Sequence, residues 1–325
     1  MKMSWHVRFL LSLACLLCGI ANSHGQAYPA KTVRIIVGFA AGGGTDIIAR
    51  VVAQKLTEAW GQTVIVDNRV GASGIIAAEM VSKAPPDGYT LLITSQTSTA
   101  VAASLYSKLP YDVLKDFAII TVLGSAPTMV VIHPSLPPKT FQEFVAFVKA
   151  NHQSLSYGSA GIGSTAHLTG ELLNQLLHIN IAHIPYKGES ESLADVISGQ
   201  LPLTFTTLPA ALPQVKAGKV RGLAITTRHP SPLAPGIPAA AESGLPGFEV
   251  SAWNAVYAPA AMPKELVARI HADIVKILAL PDVRERLVTL GIDRVGNSPE
   301  EAAAYLRAET ARWSKVIKAA NMRAD

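Results

Sequence analysis

Hydrophobic and polar positions along this chain follow two alternating rhythms. The β-branched block Val33, Ile35, Ile36 and Val37 predicts a buried strand, Ala40 to Gly44 cannot continue it, and from Thr45 and Asp46 the apolar positions take helical spacing to Leu56. The plan returns at Leu155 to Leu177: a short strand, then Gly158, Gly161 and Gly163, then Ser164 and Thr165 opening a helix with Leu168, Leu172 and Leu176 on one face. After the first unit come a strand Val64–Asp67, a loop Asn68–Gly74, a helix Ile75–Ala84, a turn Pro85–Gly88 and a strand Tyr89–Thr94. This alternation implies an α/β fold with a mostly parallel sheet. Loops at the carboxyl ends of its strands line the crevice, which places Phe39–Asp46, Gly71–Gly74 and Ser95–Thr99 there.

From Ile119 to His133 the rhythm changes. Two β-rich runs, ITVLG and TMVVIHP, follow one another with only Ser-Ala-Pro-Thr between them. They predict a crossing into a second domain, which then holds a helix Thr140–Asn151, the second glycine unit, a strand Ile181–Tyr186, a helix Ser192–Ser198 and strands Leu203–Thr206 and Val220–Thr226. His229 to Pro238 is too proline-dense for regular structure. Phe248 to Ala258 is β-rich and returns the chain, and Pro263, Pro281 and Pro299 each open a helix. Two crossings make a hinged clam: residues 28–125 with 251–325 as domain 1, 126–250 as domain 2, and a site in the cleft.

The 325 residues, 49% hydrophobic, exceed what one core holds, in keeping with two domains. Residues 1–27 belong to neither: Lys2 and Arg8 precede the apolar run Phe9–Ile20, and Gly25-Gln26-Ala27 supplies a small-residue cleavage site. The run is too short for a membrane anchor, the alternative reading. Both cysteines, Cys15 and Cys18, lie in this leader, so the mature chain offers no disulfide and no thiolate metal site, and neither cysteine sits where lipidation needs it. The leader carries no acids, so its loss leaves 26 Lys and Arg against 23 Asp and Glu. A thin positive excess with no basic block excludes a nucleic-acid partner and mildly favours an anionic solute.

A strand, a glycine turn and a helix N-terminus form an anion-binding geometry, because first-turn N–H groups and the helix dipole attract a carboxylate or phosphate. Two such ends facing each other would grip a dianion. Neither is a P-loop, and GSAGIG lacks the dinucleotide register. Asp46 reads as a helix cap or as a shaper of the loop, His167 as a cap, core or ligand residue, and His183 as structural. Trp253 and Tyr186 either flank a ligand or pack in the core. Arg50, Arg69 and Lys187 are the nearest basic residues. No histidine spacing or acidic cluster offers a metal site, no cofactor is implied, and nothing places a base beside a nucleophile, so no catalysis is expected; the alternative is a hydrolase using Ser159 or Ser164.

The stretches RIIVGFAAGGGTDIIAR, WGQTVIVDNRVGASG, APPDGYTLL, LPYDVLKDFAII, YGSAGIGSTAHLTGELL, IPYKGESESLADVISGQ, AGKVRGLAIT and AAESGLPGFEVSAWN together resemble the tripartite tricarboxylate transporter substrate-binding proteins, the Bug (Bordetella uptake gene) family. The resemblance implies a two-domain periplasmic binding protein of the type II Venus flytrap class, a monomer that closes on a small organic carboxylate. It also implies a two-component permease as partner or, for orphans, a sensor kinase. The family's ligand loops match Phe39, Ala41, Gly42, Gly43, Thr45 and Asp46, then Ser159, Gly161, Ser164, Thr165 and His167, with Ser95, Tyr186 and Thr206 as further candidates. Two departures stand out. The usual first-loop prolines are Gly38 and Ala41 here. A frequent Phe-Asp is Phe205-Thr206-Thr207, which disfavours amino-acid substrates.

Overall fold

The computed structural model describes residues 28–324, so the leader read at residues 1–27 lies outside the described residues. β1 (Val33–Val37), α1 (Gly44–Trp60), β2 (Val64–Asn68), α2 (Ile75–Ser82) and β3 (Thr90–Ser95) alternate as the hydrophobic rhythm predicts. β1 lies between β2 and β3 and is parallel to both. The alternation of strand side chains divides the packing. Val33, Ile35, Val37, Leu91 and Ile93 pack with Ile48, Val52 and Leu56 of α1. Ile36 and Leu92 belong to the other face, with Ala77, Ala78 and Val81 of α2. Burying each large aliphatic side chain stabilises the fold by about 1.5–3 kcal/mol.

After the short α3 (Ala102–Leu105), β4 (Phe117–Ile132) is one continuous strand of 16 residues where the sequence predicts two runs. There follow α4 (Phe141–Asn151), β5 (Ser156–Ser159), α5 (Thr165–Leu177), β6 (Ala182–Pro185), α6 (Glu189–Ser198), β7 (Leu203–Thr207), α7 (Leu208–Lys216), β8 (Arg221–Ile225) and β9 (Ser251–Pro259). α8 (Lys264–Ala279), α9 (Pro281–Thr289), β10 (Asp293–Arg294) and α10 (Pro299–Ala319) complete the order. α7 is absent from the sequence reading because Pro209 and Pro213 obscure its period. Pro209 sits in the first turn, where no N–H is needed, and Leu208 and Ala211 are buried.

The strands form one sheet in the order β2-β1-β3-β9-β4-β7-β5-β6, with β8 and β10 also on β4. The Ser-Ala-Pro-Thr interruption in β4 is a change of partner rather than a loop. Up to Pro127 the strand pairs antiparallel with β9, and from Thr128 it pairs with β7 and β8. A proline without an N–H is tolerated where one ladder ends and another begins. Gly124 is needed where β10 crosses β4, since a Cβ there would stand 2.5 Å from Ile292 Cγ2. α10 starts from a capping box between Ser298 and Glu301 and buries Leu306, Trp313, Val316 and Ile317. It packs on β4, α3 and α5, the last being the helix of the second glycine unit.

Candidate ligand-binding site

The loop between β1 and α1 leaves Ala41, Gly42, Gly43 and Gly44 exposed. A Cβ at Gly42 or Gly44 would meet nothing within 4 Å, and no side chain caps the helix that begins there. Its first-turn N–H groups have no acceptor inside the helix. The loop is shaped from below by Asp46, whose side chain is 2% exposed. Asp46 Oδ2 accepts from Gly42 N–H at 2.9 Å and from Arg50 Nε at 2.8 Å, and Oδ1 accepts from Asn68 Nδ2 at 2.8 Å. Burial pushes its pKa up, but the Arg50, Gly42 and Asn68 hydrogen bonds outweigh that and hold it down at about 2. Asn68 Nδ2 also donates to the Phe39 carbonyl at 2.9 Å. Asp46 is therefore a shaper of the loop with its lone pairs already engaged, and so is Arg50. Arg69 is likewise committed, to Asp67 at 3.0 Å.

Thr45 is buried and donates its hydroxyl to Asn254 Oδ1 at 2.7 Å. Asn254 lies on β9 opposite Ser95 of β3, so Thr45, Ser95 and Asn254 meet at one end of the sheet. The Ser95 hydroxyl accepts from Thr97 N–H and caps the turn Gln96–Ser98. Close backbone packing joins this turn to the first loop. A Cβ on Gly38 would stand 2.5 Å from Gly74 Cα, and one on Gly74 would stand 3.1 Å from Ser98 Cβ and 3.4 Å from the half-buried Phe39 ring. Gly38 thus stands where a family proline would strike Gly74.

The second glycine loop is built differently. Ser164 caps α5 by accepting His167 N–H at 3.3 Å. Gly163 N–H donates to His167 Nδ1 at 3.1 Å, and Gly161 N–H donates to Ser159 Oγ at 3.0 Å. These donors are spent inside the loop, as are Gly42 N–H and Gly43 N–H in the first, to Asp46 and the Ala40 carbonyl, but the two helix ends are not equivalent: α5 has a side-chain cap and α1 has none. Thr165 stays half-buried in the first turn of α5. His167 stacks on His183 with ring centroids 3.8 Å apart. Burial, and for His167 the neighbouring ring as well, lowers their pKa values to about 3 and about 4, so both are neutral at pH 7.

Against the sequence reading, the fold does set a base beside a nucleophile: Ser159 Oγ lies 2.6 Å from His183 Nε2. Ser159 is 0% exposed, however, and its hydroxyl is also held by the Gly161 carbonyl at 3.1 Å. The Tyr186 N–H donates to the Ser159 carbonyl at 2.9 Å, while its phenol donates to Asp195 at 2.8 Å and has its pKa raised to about 12, chiefly by burial. Trp253 belongs to the core: it is fully buried and donates to Glu309 at 3.3 Å.

Sequence reasoning missed Asn68, Asn254 and Glu189. The first two end or interrupt apolar strand patterns, the only mark they leave in the sequence. Glu189 opens α6, and its carboxylate accepts from the Thr206 hydroxyl and the Thr207 N–H, and from Thr207 Oγ1 at 3.3 Å. The end of β7 therefore does face a carboxylate, and the argument from Thr206 against amino-acid substrates loses its basis.

The family model described as tripartite tricarboxylate transporter family receptor matches residues 48–322. The chain is 34% identical over 294 residues to Protein BugT of Bordetella pertussis, covering 90% of each chain. Among solved structures it is similar to R. palustris Rpa4515 with adipate, at 35% identity and a TM-score of 0.77, covering 91% of this chain and 99% of that one. It is also similar to MatC from Rhodopseudomonas palustris with bound malate, at 33% identity and a TM-score of 0.73, covering 89% and 100%.

Proposed function

The chain belongs to the tripartite tricarboxylate transporter receptor family, and from that premise we propose that it captures a small organic carboxylate in its cleft and hands it to a membrane permease of the tripartite tricarboxylate type. The observation that carries this reading is the bare N-terminus of α1, with Gly43 at the cap position and no side chain engaging it. A carboxylate seated over Gly42 to Gly44 takes the place of the missing cap and meets the positive end of the helix dipole. Two related structures, one with adipate and one with bound malate, support this solute class.

The two glycine loops play unequal parts. The first supplies the backbone N–H groups of Gly44 and Thr45 at an uncapped helix end, while the second presents the Ser164 hydroxyl and the remaining amides of Ile162 and Thr165. The site residues are the fourteen candidates together with Asn254, with Asp46, Ser159, His167 and Thr206 holding the loops in shape through their own hydrogen bonds. The protein works as a monomer, exported to the periplasm with a leader cleaved after Ala27. Its halves are residues 28–125 with 251–325 and residues 126–250, hinged where β4 and β9 run side by side, and it performs no catalysis. Among the described residues no helix is long and apolar enough to cross a membrane, and no group of His, Cys, Asp and Glu could hold a metal.

A thermal-shift panel of di- and tricarboxylates, aromatic acids, amino acids and sugars tests the reading on protein unfolded and refolded to strip bound solute. A carboxylate at a hundred times its Kd adds about 2.7 kcal/mol of stability. Shifts confined to carboxylates are the expected result; a shift given only by sugars sinks it.

A further inference from the structure

Gln96 lies in the one-turn segment directly after β3. It is 1% exposed, and both atoms of its side-chain amide, Oε1 and Nε2, lack a hydrogen-bond partner. No other buried side-chain nitrogen or oxygen among the described residues is in that position. An amide carries two donors and an acceptor with two lone pairs, and leaving all of them unmet away from water is costly.

The neighbouring polar groups are committed elsewhere. Thr94 and Ser98 pair through their hydroxyls at 2.5 Å, Thr99 Oγ1 donates to the Ser95 carbonyl at 3.2 Å, and Tyr111 donates to the Ser98 carbonyl at 2.6 Å. The backbone of the turn is also pinned, since the N–H groups of Thr99 and Val101 both donate to the Gln96 carbonyl. Through Ser98 and Gly74 the same turn packs against the first glycine loop. The unmet amide therefore stands at the carboxyl end of β3, next to the strand that presents the bare helix end.

Resting on the carboxylate reading above, we infer that Gln96 is the specificity-determining residue of the site and that its amide pairs with a hydroxyl or carboxamide carried by the solute, away from the anchored carboxylate. A neutral amide that both donates and accepts is matched by a group that does the same. A site built to bond such a group rejects the analogue lacking it, because its own polar atoms are then left unpaired.

The test is titration calorimetry on matched pairs, succinate with malate and benzoate with 4-hydroxybenzoate, using wild type, Gln96→Met and Gln96→Glu. Wild type is expected to bind the hydroxylated member of a pair at least tenfold more tightly. Gln96→Met, of similar length and apolar, should reduce that preference below threefold while the ligand-free Tm holds or rises. An intact preference in Gln96→Met overturns the inference, and if its Tm also falls, Gln96 is a holder of ordered water. Should Gln96→Met fail to fold, Gln96→Glu keeps the side-chain shape, and an undiminished hydroxyl preference there overturns the inference equally. A wild type that binds carboxylates without favouring the hydroxylated member overturns it too, leaving the carboxylate reading intact. A wild type that binds no carboxylate at all removes that reading and this inference together.

Discussion

The imidazoles of His167 and His183 lie parallel, with centroids 3.8 Å apart and 10° between their planes. Each has an acceptor nitrogen in use or in reach: His167 Nδ1 takes the Gly163 N–H, and His183 Nε2 lies 2.6 Å from Ser159 Oγ. Protonating either ring puts a buried charge beside the other and costs the loop a contact. With pKa values lowered to about 3 and about 4, against about 6.5 in an unfolded chain, the unfolded state takes up protons first. Stability therefore falls as pH drops below about 6.5, down to the folded values, and these groups contribute no pH dependence above that window. At pH 5 the loss is about 2 kcal/mol for each histidine. Urea melts at pH 7.5 and 5.0 check this. His167→Gln/His183→Gln should flatten most of the difference, and equal wild-type midpoints at the two pH values would rule the effect out.

Asp46 titrates in the same sense but lower down. Its folded pKa of about 2 lies below the ordinary 3.8, so its stabilisation is present above pH 4 and lost as pH falls toward 2. Replacing it with alanine strands the Gly42 N–H and the Asn68 amide and should cost about 2–3 kcal/mol. Arg50→Ala removes only a partner whose side chain is 52% exposed and should cost less than about 1 kcal/mol. Denaturant unfolding of both variants checks the ranking, which fails if Arg50→Ala is the more damaging.

The parts legible in the sequence were those with period and punctuation. The units around α1 and α5 could be read because β-branched runs, glycines and spaced leucines all agree there. β4 was split because Pro127 signals a break in any local window, and only the partner change from β9 to β7 and β8 explains its place in a strand. The site was legible as loops but not as bonds. That Ser164 and His167 are engaged within their own loop while α1 is uncapped depends on side-chain directions no spacing encodes. Asn254 and Glu189 reach their partners from 209 and 17 or 18 residues away.

Gly43 tests the bare helix end directly. Its φ of −74° and ψ of 162° suit any residue, and a Cβ there would meet only the Ala40 carbonyl at 3.3 Å. Gly43→Asp should therefore fold and be as stable as wild type or slightly more so, since aspartate is a favoured N-cap. The same carboxylate occupies the anion position, so affinity for a carboxylate solute should fall at least about 100-fold, about 2.8 kcal/mol. Calorimetry beside a thermal melt gives both readouts, and a stable variant that binds like wild type would remove the first loop from the site.

Asn254 couples the loop to the long strand β9. Its Oδ1 takes the Thr45 hydroxyl at 2.7 Å, so that proton is not available to a solute, while its Nδ2 has no protein partner among the described residues. Orientation of the amide by Thr45 aims a second neutral donor at the sheet end shared with Ser95. Asn254→Asp keeps the shape and the acceptor for Thr45 but exchanges the donor for a negative charge. Its stability should stay within about 1 kcal/mol of wild type, while carboxylate affinity should fall about 10- to 100-fold, the equivalent of about 1.4–2.8 kcal/mol. Thr45→Val, which frees Asn254 to turn, should lose less, and the double variant should lose less than the sum of the singles because the two residues act as one unit. Additive losses would mean that Thr45 and Asn254 act separately. Unchanged affinity in Asn254→Asp would reduce Asn254 to a support for α1.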